Sequence, residues 1–349
     1  MGGRGGAGRM TTQQPGRMRI VSGSRPTGRL HLGHWLGALS NWLALQDQAE
    51  CFFFVADWHA LTTGYQDTGG IRASTHDMVL DWLAIGLDPQ RVVLFVQSAV
   101  KEHAELHLLL SMIVPTPWLL RNPTIKEQAR ELGLISGDDE SAMAQLNYGL
   151  LGYPVLQAAD ILLYRARGVP VGIDQVPHLE LTREVARRFN RLYAEVFPEP
   201  EALLTETPKI PGTDGRKMSK SYNNAVFLNE PEADIAAKLG RMATDPRRVR
   251  RTDPGDPADC PAFNLHRIYC TPEEIEYVTR GCRTAGIGCL DCKQIMIKHV
   301  LAELAPIRAR RAELDRRPQT VDEVLAAGNA RARRVAEETM ASVRDAMQI

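Results

Sequence analysis

The sequence predicts an α/β protein in which a doubly wound parallel sheet is followed by a domain of helices. Residues 51–56 and 92–96 are short apolar runs typical of strands buried on both faces, and residues 18–21 form a third β-type run. Residues 73–86 are predicted to be a crossover helix. After about residue 225 the strand signal disappears, and helices are predicted over residues 232–242, 272–281, 293–311 and 321–347. In such a fold ligands bind at the carboxyl ends of the strands.

The chain has 349 residues, more than one hydrophobic core usually supports, so we expect two domains. We place a sheet domain at residues 18–222 and a helical domain at residues 223–349. The Gly- and Arg-rich residues 1–17 lack a signal-peptide pattern and are predicted to be a flexible tail, with Met10 or Met18 as alternative first residues. No apolar run approaches the roughly 20 residues of a membrane span, so we do not expect a membrane protein.

Lysine plus arginine equals aspartate plus glutamate, at 42 each, so net charge predicts no polyanionic partner. Arginines nevertheless cluster in the segment DPRRVRRTDPG and on the last predicted helix. A solvated face and a contact with a nucleic-acid backbone both explain such clusters, and the sequence leaves both open. The arginines are Arg247, Arg248, Arg250, Arg251, Arg331, Arg333, Arg334 and Arg344.

The first candidate site follows the first predicted strand. There the turn SGSRPTG leads into the stretch HLGH, which places His31 and His34 at the start of a helix. A helix N-terminus offers unpaired N–H groups and a positive dipole end, and glycines let the backbone close on an anion. We therefore predict a phosphate site at which the two histidines hold a polyphosphate.

The second candidate site is the stretch PKIPGTDGRKMSKS, residues 208–221. Its glycines and prolines predict a mobile loop, and the spacing of Lys217 and Lys220 lets both ammonium groups reach one anion. A lysine loop that closes on a phosphate suits a reaction whose charge develops mainly in the transition state.

The third candidate site is the stretch YPVLQAADILLY, which begins a helix. Its spacing places Tyr153, Gln157 and Asp160 on one helix face. An ionised carboxylate only accepts hydrogen bonds, so Asp160 suits a ligand that presents an N–H or O–H donor from an apolar body. Such a site rejects analogues that lack the donor, because the buried carboxylate is then left unpaired.

The cysteines suggest a metal site. Cys260, Cys282, Cys289 and Cys292 end in a CxxC pair, and a chain without a secretory signal is not expected to hold a disulfide framework. Four thiolates suit either a structural zinc ion or an iron-sulfur cluster, and the spacing alone does not choose. Of the other two, Cys270 is predicted to lie just outside a helix that starts with the capping box TPEE, and Cys51 to be buried near the start of its strand.

The strings HLGH and KMSKS, in this order, resemble the HIGH and KMSKS signatures of the class I aminoacyl-tRNA synthetases, whose catalytic domain is Rossmann-like. The resemblance implies that His31 and His34 contact the ATP phosphates, and that Lys217 and Lys220 stabilise the α-phosphate and the departing pyrophosphate. It implies an ATP site made of Arg25, Pro26, Thr27, Gly33, His34, Gly172, Ile173, Asp174, Lys217, Met218, Ser219, Lys220 and Ser221.

Within that class, YPVLQAADILLY and VPVGIDQ resemble the tryptophanyl-tRNA synthetase family, from about residue 18 to the C-terminus. By this resemblance Asp160 accepts the indole N–H, Tyr153 and Gln175 hold the α-amino group, and Gly172 with Asp174 contacts the ATP ribose. The pocket would include Val55, His59 and Gln157. Three positions depart from the usual family residues, namely Gln157 for methionine, Ile173 for glutamate and Arg25 for glutamine.

The resemblance further implies ATP with Mg²⁺ as substrate, tRNA(Trp) as partner, a homodimer in the cytoplasm, no DNA partner and an anticodon-binding role for residues 223–349. It favours a [4Fe-4S] cluster at the four cysteines, as in a subset of the family, over structural Zn²⁺. Two alternatives remain at this point: a tyrosine-activating synthetase, and an iron-sulfur RNA-binding relative whose tRNA charging is weak or diverted.

Overall fold

The structure is a computed structural model that describes residues 17–136, 143, 146–204 and 210–349. The predicted tail, apart from Arg17, lies outside these residues, and so do residues 208 and 209 at the start of the predicted lysine loop.

A five-stranded sheet forms the centre of the fold. Every strand pairing is parallel, and the strand order is β3-β2-β1-β4-β5. The order reverses between β1 and β4, which makes a ligand crevice at the carboxyl ends of these two strands. The predicted doubly wound α/β fold is confirmed. The strands are β1 (Arg19–Ser24), β2 (Glu50–Val55), β3 (Val93–Val96), β4 (Gly168–Val171) and β5 (Glu201–Leu204).

Helices cover both faces of the sheet. The helix after β1 runs through α1 (Leu32–His34), a π-helical turn (Trp35–Leu39) and α2 (Ser40–Leu45). A π turn inside a helix often marks a functional site. The next helices are α3 (Asp57–Gly64), α4 (Ile71–Ile85), α5 (Glu102–Ser111), α6 (Thr116–Leu120), α7 (Pro123–Glu131), α8 (Tyr148–Leu162) and α9 (Val176–Leu192).

The part of the chain after β5 contributes helices, as the sequence predicts. Helix α12 begins at the predicted capping box, with Thr271 as N-cap, and α13 begins at Cys289, earlier than predicted. No described helix is long and apolar enough to cross a membrane. The helices are α10 (Glu232–Gly240), α11 (Pro261–Tyr269), α12 (Pro272–Arg283), α13 (Cys289–Leu314) and α14 (Gln319–Met347).

Two cores lie on opposite faces of the sheet, because alternate strand residues point to opposite sides. Ile20, Phe53 and Leu94 belong to one core, whereas Phe52 and Phe95 belong to the other. Both cores include side chains of the last two helices, α13 in the first and α14 in the second. The C-terminal helices therefore share the cores of the sheet domain.

Helix α14 covers the edge strand β3. A Cβ atom on Gly328 would lie 1.7 Å from the carbonyl oxygen of Leu94, so the helix backbone approaches the strand as closely as glycine allows. The side-chain oxygen of Asn329 accepts the N–H of Val96 at 2.9 Å. An edge strand leaves such groups unpaired, and the helix satisfies one of them.

Candidate active site

The HLGH stretch lies at the carboxyl end of β1, beside the point where the strand order reverses. His31 is the N-cap residue of α1, and its Nδ1 accepts the N–H of Gly33 at 3.1 Å. The Nδ1 of His34 accepts the N–H of His31 at 3.1 Å. Because a neutral imidazole that accepts at Nδ1 carries its proton at Nε2, both rings present an Nε2–H donor. The two rings lie against each other with centroids 3.8 Å apart and their planes inclined by 31°.

Both histidines are neutral at pH 7. Burial, together with the nearby Lys220 ammonium, lowers the pKa of His31 to about 4. Burial lowers the pKa of His34 to about 3, and the nearby His31 and Lys220 add to this decrease. The pair can therefore donate hydrogen bonds to a polyphosphate without bringing positive charge.

The KMSKS stretch touches the turn that precedes His31. The Nζ of Lys220 donates to the carbonyl oxygen of Thr27 at 2.6 Å and lies 3.2 Å from its Oγ1. Met218 is buried and belongs to the same core as Leu32, whereas Lys217 is exposed. The structure thus brings the two predicted phosphate-binding stretches together and leaves Lys217 pointing to solvent.

Asn224, which the sequence analysis missed, holds this loop in shape. Its side-chain oxygen accepts the N–H of Ser219 at 2.7 Å, and its amide nitrogen donates to Asp214 at 2.7 Å and to the carbonyl of Lys217 at 3.1 Å. One side chain therefore satisfies three points of the loop.

Burial lowers the pKa of Lys220 to about 8, so this lysine begins to lose its positive charge near pH 8.

Asp160 is the centre of a polar cluster inside the α/β domain. It is buried on α8, and its Oδ1 lies 2.7 Å from both Gln97 Nε2 and His103 Nδ1. Its Oδ2 lies 2.7 Å from His59 Nε2. Burial by itself would raise the pKa of Asp160, yet His59 and His103 hold it well below the usual range. The carboxylate is therefore ionised and buried.

Gln97 and His103 were not predicted from the sequence. Gln97 directly follows β3, at the sheet edge where ligands bind, and that position is a signal that could have found it. His103 lies on α5, and its Nε2 is 2.8 Å from the hydroxyl of Tyr164. Both side chains are fully buried and engage the same carboxylate oxygen of Asp160.

Three other predicted tryptophan-site residues lie on α8 and at the end of β2. Tyr153 and Gln157 lie half-buried on the same helix as Asp160, and Val55 is buried at the end of β2. The Tyr153 hydroxyl lies 2.7 Å from His178 Nε2, and the Tyr153 ring lies edge-on to His59 with centroids 6.3 Å apart. Tyr153 also lines a cavity of about 230 Å³ with Trp58, Leu61, Thr62, His107, Tyr148, Gly149, Gly152 and Leu156.

The VPVGIDQ stretch forms β4 and the turn after it. Gln175 Nε2 donates to Asp174 Oδ2 at 2.7 Å, and Ile173 is 75% exposed. A Cβ atom on Gly172 would lie 2.7 Å from the Asp174 carboxylate, so a larger residue at this position would displace the Asp174 side chain. Arg25, Pro26 and the turn before His31 lie at the end of the neighbouring strand β1.

The four predicted cysteines come together. Cys260, Cys282, Cys289 and Cys292 line one cavity, which His266, Arg248 and Lys293 also line. Among the described residues, no three of these sulfurs lie within 4.8 Å of one another. The Nε2 of His266 lies 3.3 Å from Cys292 Sγ.

The arginine clusters divide into two groups. Arg248 donates to the carbonyl of Ile287 at 2.8 Å, beside the cysteines, and Arg247 pairs with Asp245 and Asp259. On α14, Arg331 and Arg333 donate to carbonyl oxygens of the sheet domain, and Arg344 pairs with Glu105. These five side chains hold parts of the chain together, and Arg247 and Arg333 are at the same time exposed to solvent. Arg250 and Arg251 are exposed.

Comparison with known proteins assigns the chain. Residues 13–304 match the family described as tRNA synthetases class I (W and Y). A tryptophan–tRNA ligase of Thermotoga maritima is 54% identical over 95% of this chain and 99% of its own length. One from Aquifex aeolicus is 47% identical over 95% of this chain and its entire own length. The chain belongs to the tryptophan–tRNA ligases of class I.

A solved structure agrees with this assignment. The tryptophanyl-tRNA synthetase from Campylobacter jejuni, complexed with ADP and tryptophan, superposes with a TM-score of 0.81 at 32% identity, covering 95% of this chain and all of the other. A tyrosyl-tRNA synthetase from Archaeoglobus fulgidus, at 22% identity and a TM-score of 0.62, shares the fold. The assignment as a tryptophan–tRNA ligase rejects the alternative of a tyrosine-activating synthetase. The enzyme activates tryptophan with ATP and joins it to tRNA.

Proposed function

We propose that this ligase forms tryptophanyl-adenylate in the crevice between the HLGH turn, the KMSKS loop and the Asp160 cluster. The tryptophan carboxylate attacks the α-phosphorus of ATP, the bond to the β-phosphate breaks, and pyrophosphate leaves with Mg²⁺. A ribose hydroxyl of the tRNA 3′-terminal adenosine then takes the tryptophanyl group and releases AMP. The carboxylate is already ionised, so the first step depends on positioning and charge stabilisation rather than on a general base.

The observation that supports tryptophan recognition most strongly is the unequal use of the two Asp160 oxygens. Oδ1 already faces two partners, Gln97 and His103, whereas in the described part of the chain Oδ2 has one hydrogen-bond partner, His59. A carboxylate oxygen accepts about two hydrogen bonds, so Oδ2 retains an acceptor position. We propose that the indole N–H donates to it, with Val55, His59 and Gln157 around the ring.

The α-amino group and the nucleotide take the rest of the crevice. We propose that Tyr153 and Gln175 hold the α-amino group, and that Gly172 with Asp174 contacts the ribose. The ATP phosphates accept hydrogen bonds from the Nε2–H groups of His31 and His34. Lys217 and Lys220 stabilise the negative charge that develops on the α-phosphate and the departing pyrophosphate. The nucleotide set is Arg25, Pro26, Thr27, Gly33, His34, Gly172, Ile173, Asp174, Lys217, Met218, Ser219, Lys220 and Ser221.

We propose that Cys260, Cys282, Cys289 and Cys292 hold a [4Fe-4S] cluster. A zinc ion bonded to four sulfurs at about 2.3 Å would bring those sulfurs to about 3.8 Å from one another. The four described sulfurs line a common cavity, so one cysteine is available for each iron of such a cluster, and the resemblance to the subset of the family with this cysteine spacing favours the cluster over zinc. When bound, the cluster would serve as a structural cross-link between the segment before α11, α12 and α13.

We further propose that the helices of residues 223–349 bind the anticodon region of the tRNA, with the exposed Arg250 and Arg251 next to its backbone. Val249 lies between Arg248 and Arg250 and is 84% exposed, so this loop projects from the surface. By resemblance to the family, we also propose a homodimer that works in the cytoplasm.

Two assays on the purified enzyme test this account. Amino-acid-dependent ATP–pyrophosphate exchange should respond to tryptophan and not to tyrosine, and tRNA(Trp) should be charged with tryptophan. Exchange with tyrosine would overturn the site assignment. Normal exchange together with negligible charging would instead support the alternative of an RNA-binding relative with diverted activity.

A further inference from the structure

A second cluster of metal-binding side chains lies beside the four-cysteine cavity. Cys270 immediately precedes the N-cap of α12, Glu274 lies in the first turn of α12, and His299 lies on α13. One ligand atom from each, a sulfur, a carboxylate oxygen and a ring nitrogen, lies within 4.8 Å of the other two. His299 Nε2 and Glu274 Oε2 are 2.8 Å apart. Three different kinds of metal ligand thus converge from two helices.

This cluster is separate from the four-cysteine centre. The ring of His266 lies between the two, with Nε2 at 3.3 Å from Cys292 Sγ and Nδ1 at 3.3 Å from Cys270 Sγ. Cys270 does not line the cavity that the other four share. It is therefore a fifth thiol in this region with a different set of neighbours.

Outer contacts already orient two of the three side chains. The carboxylate oxygen of Glu274 accepts the N–H of Thr271 at 3.0 Å, which fixes the carboxylate against the helix start. His266 holds the Cys270 sulfur in the same way. Metal ligands in proteins are usually oriented by such second contacts, and here the capping box of α12 supplies one of them and His266 the other.

We propose that Cys270, Glu274 and His299 form a second metal site that binds one divalent cation of the zinc type, with water as the fourth ligand. A mixed sulfur, nitrogen and oxygen set suits zinc, whereas calcium and magnesium require oxygen ligands. Zinc bonds of about 2.0 to 2.3 Å need ligand atoms about 3.3 to 3.8 Å apart, which side-chain rotation achieves from the present spacing. The side chains of His299 and Glu274 are 28% and 30% exposed, so an ion can enter from solvent.

The bound ion would tie the beginning of α12 to α13, the helix whose first turn carries Cys289 and Cys292. It binds the folded arrangement and not the unfolded chain, so it stabilises this junction in proportion to its occupancy. This role is independent of aminoacylation and of the metal held by the other four cysteines.

The test uses the full-length enzyme, purified anaerobically with its cysteine centre loaded and then freed of loosely bound metal. Zinc is titrated in competition with a chromophoric chelator, and zinc and iron per chain are measured by mass spectrometry. We expect one zinc per chain bound at this site. Cys270→Ser and His299→Gln should each weaken zinc binding at least about tenfold, with the iron content unchanged.

Two further variants make the result specific. Cys51→Ser removes a buried cysteine far from the site and should leave zinc binding at the wild-type value. Glu274→Gln retains the helix cap, because glutamine also serves in a capping box, and should weaken zinc binding through loss of the ligand alone.

Three results would overturn the proposal. The first is the absence of saturable zinc binding by the loaded enzyme. The second is wild-type zinc affinity in both Cys270→Ser and His299→Gln. The third is loss of zinc in Cys289→Ser with retention in Cys270→Ser, which would place the zinc among the other four cysteines.

Discussion

The Nζ of Lys220 donates a hydrogen bond to the carbonyl oxygen of Thr27 at 2.6 Å, and this contact joins the KMSKS loop to the turn before His31 and His34. The ammonium thus lies at the carboxyl end of β1, beside the Nε2–H donors of His31 and His34. An incoming triphosphate would replace the Thr27 carbonyl as the acceptor for this lysine.

We predict that Lys220→Ala lowers kcat for adenylate formation with little change in the affinity for ATP in the ground state, because the ammonium acts mainly on charge that develops during the reaction. Tryptophan-dependent pyrophosphate exchange, with ATP varied, measures both constants. Lys298→Ala, at an exposed lysine of α13, is the control and should react at the wild-type rate. A loss confined to the ATP KM of Lys220→Ala would contradict this role.

The pH profile follows from the same residues. The pKa of Lys220 is about 8, and a lysine is charged below its pKa, so kcat/KM for ATP should fall as pH rises through about 8. The pKa values of His31 and His34 are about 4 and about 3, so no change is expected near the ordinary histidine pKa of about 6.5.

The variant Lys220→Arg tests whether the fall of kcat/KM above pH 8 is due to Lys220. Arginine stays protonated far above pH 8, so the fall should move to higher pH in that variant. A fall near pH 6.5 in the wild-type enzyme would show instead that a protonated histidine is required.

A buried ion network predicts a large effect on stability. Arg311 of α13 bonds to Asp77, to Asp315 and to Asp81, and the other carboxylate oxygen of Asp81 accepts the N–H of Leu30 next to His31. Arg311→Met leaves the Asp81 charge buried without its partner, which should cost about 3 to 5 kcal/mol in the free energy of unfolding.

Urea denaturation measures this loss. Arg316→Met, at an exposed arginine just after α13, should change stability by less than about 0.5 kcal/mol. Equal stability of Arg311→Met and wild-type protein would show that the network does not hold the C-terminal helix against the active-site turn.

The proposed cluster gives a prediction with a visible readout. Anaerobically purified protein should be brown and should contain about four iron and about four sulfide ions per chain. Cys289→Ser should lose the colour and reduce tRNA charging more than adenylate formation, because the cysteines lie among the C-terminal helices. Cys51→Ser should keep both. A colourless protein with one zinc per chain would refute the iron-sulfur assignment and leave the four-ligand assignment intact.

The first three strands, four of the five described C-terminal helices and the HLGH turn were predictable because their signals are local. The apolar runs that become β2 and β3, and the capping box at Thr271, depend on neighbours a few residues away. Gln97 and His103 were missed because they reach Asp160 across 63 and 57 residues of sequence. Pattern reasoning identified Asp160 as an acceptor, but it had no means of finding which side chains would surround it.

The intramolecular partners of the arginines on the last helix were missed for the same reason. Charge and spacing describe Arg331 and Arg333 as parts of a solvated or nucleic-acid-binding face. In the folded chain they satisfy carbonyl oxygens of the sheet domain, at Pro89, Val92 and Ala99. Those acceptors lie about 240 residues away in sequence, so only the packing of α14 against the edge strand reveals them.

The measurement that tests the central claim most directly compares tryptophan with its analogue in which sulfur replaces the indole N–H. Pyrophosphate exchange should give the wild-type enzyme a kcat/KM for tryptophan at least about tenfold higher, since a hydrogen bond to a charged group is worth about 1.5 to 3 kcal/mol. In Asp160→Ala the two substrates should become nearly equal, whatever the overall loss of activity. If the wild-type enzyme does not discriminate between them, or if Asp160→Ala discriminates as well as the wild type, Asp160 does not recognise the indole N–H.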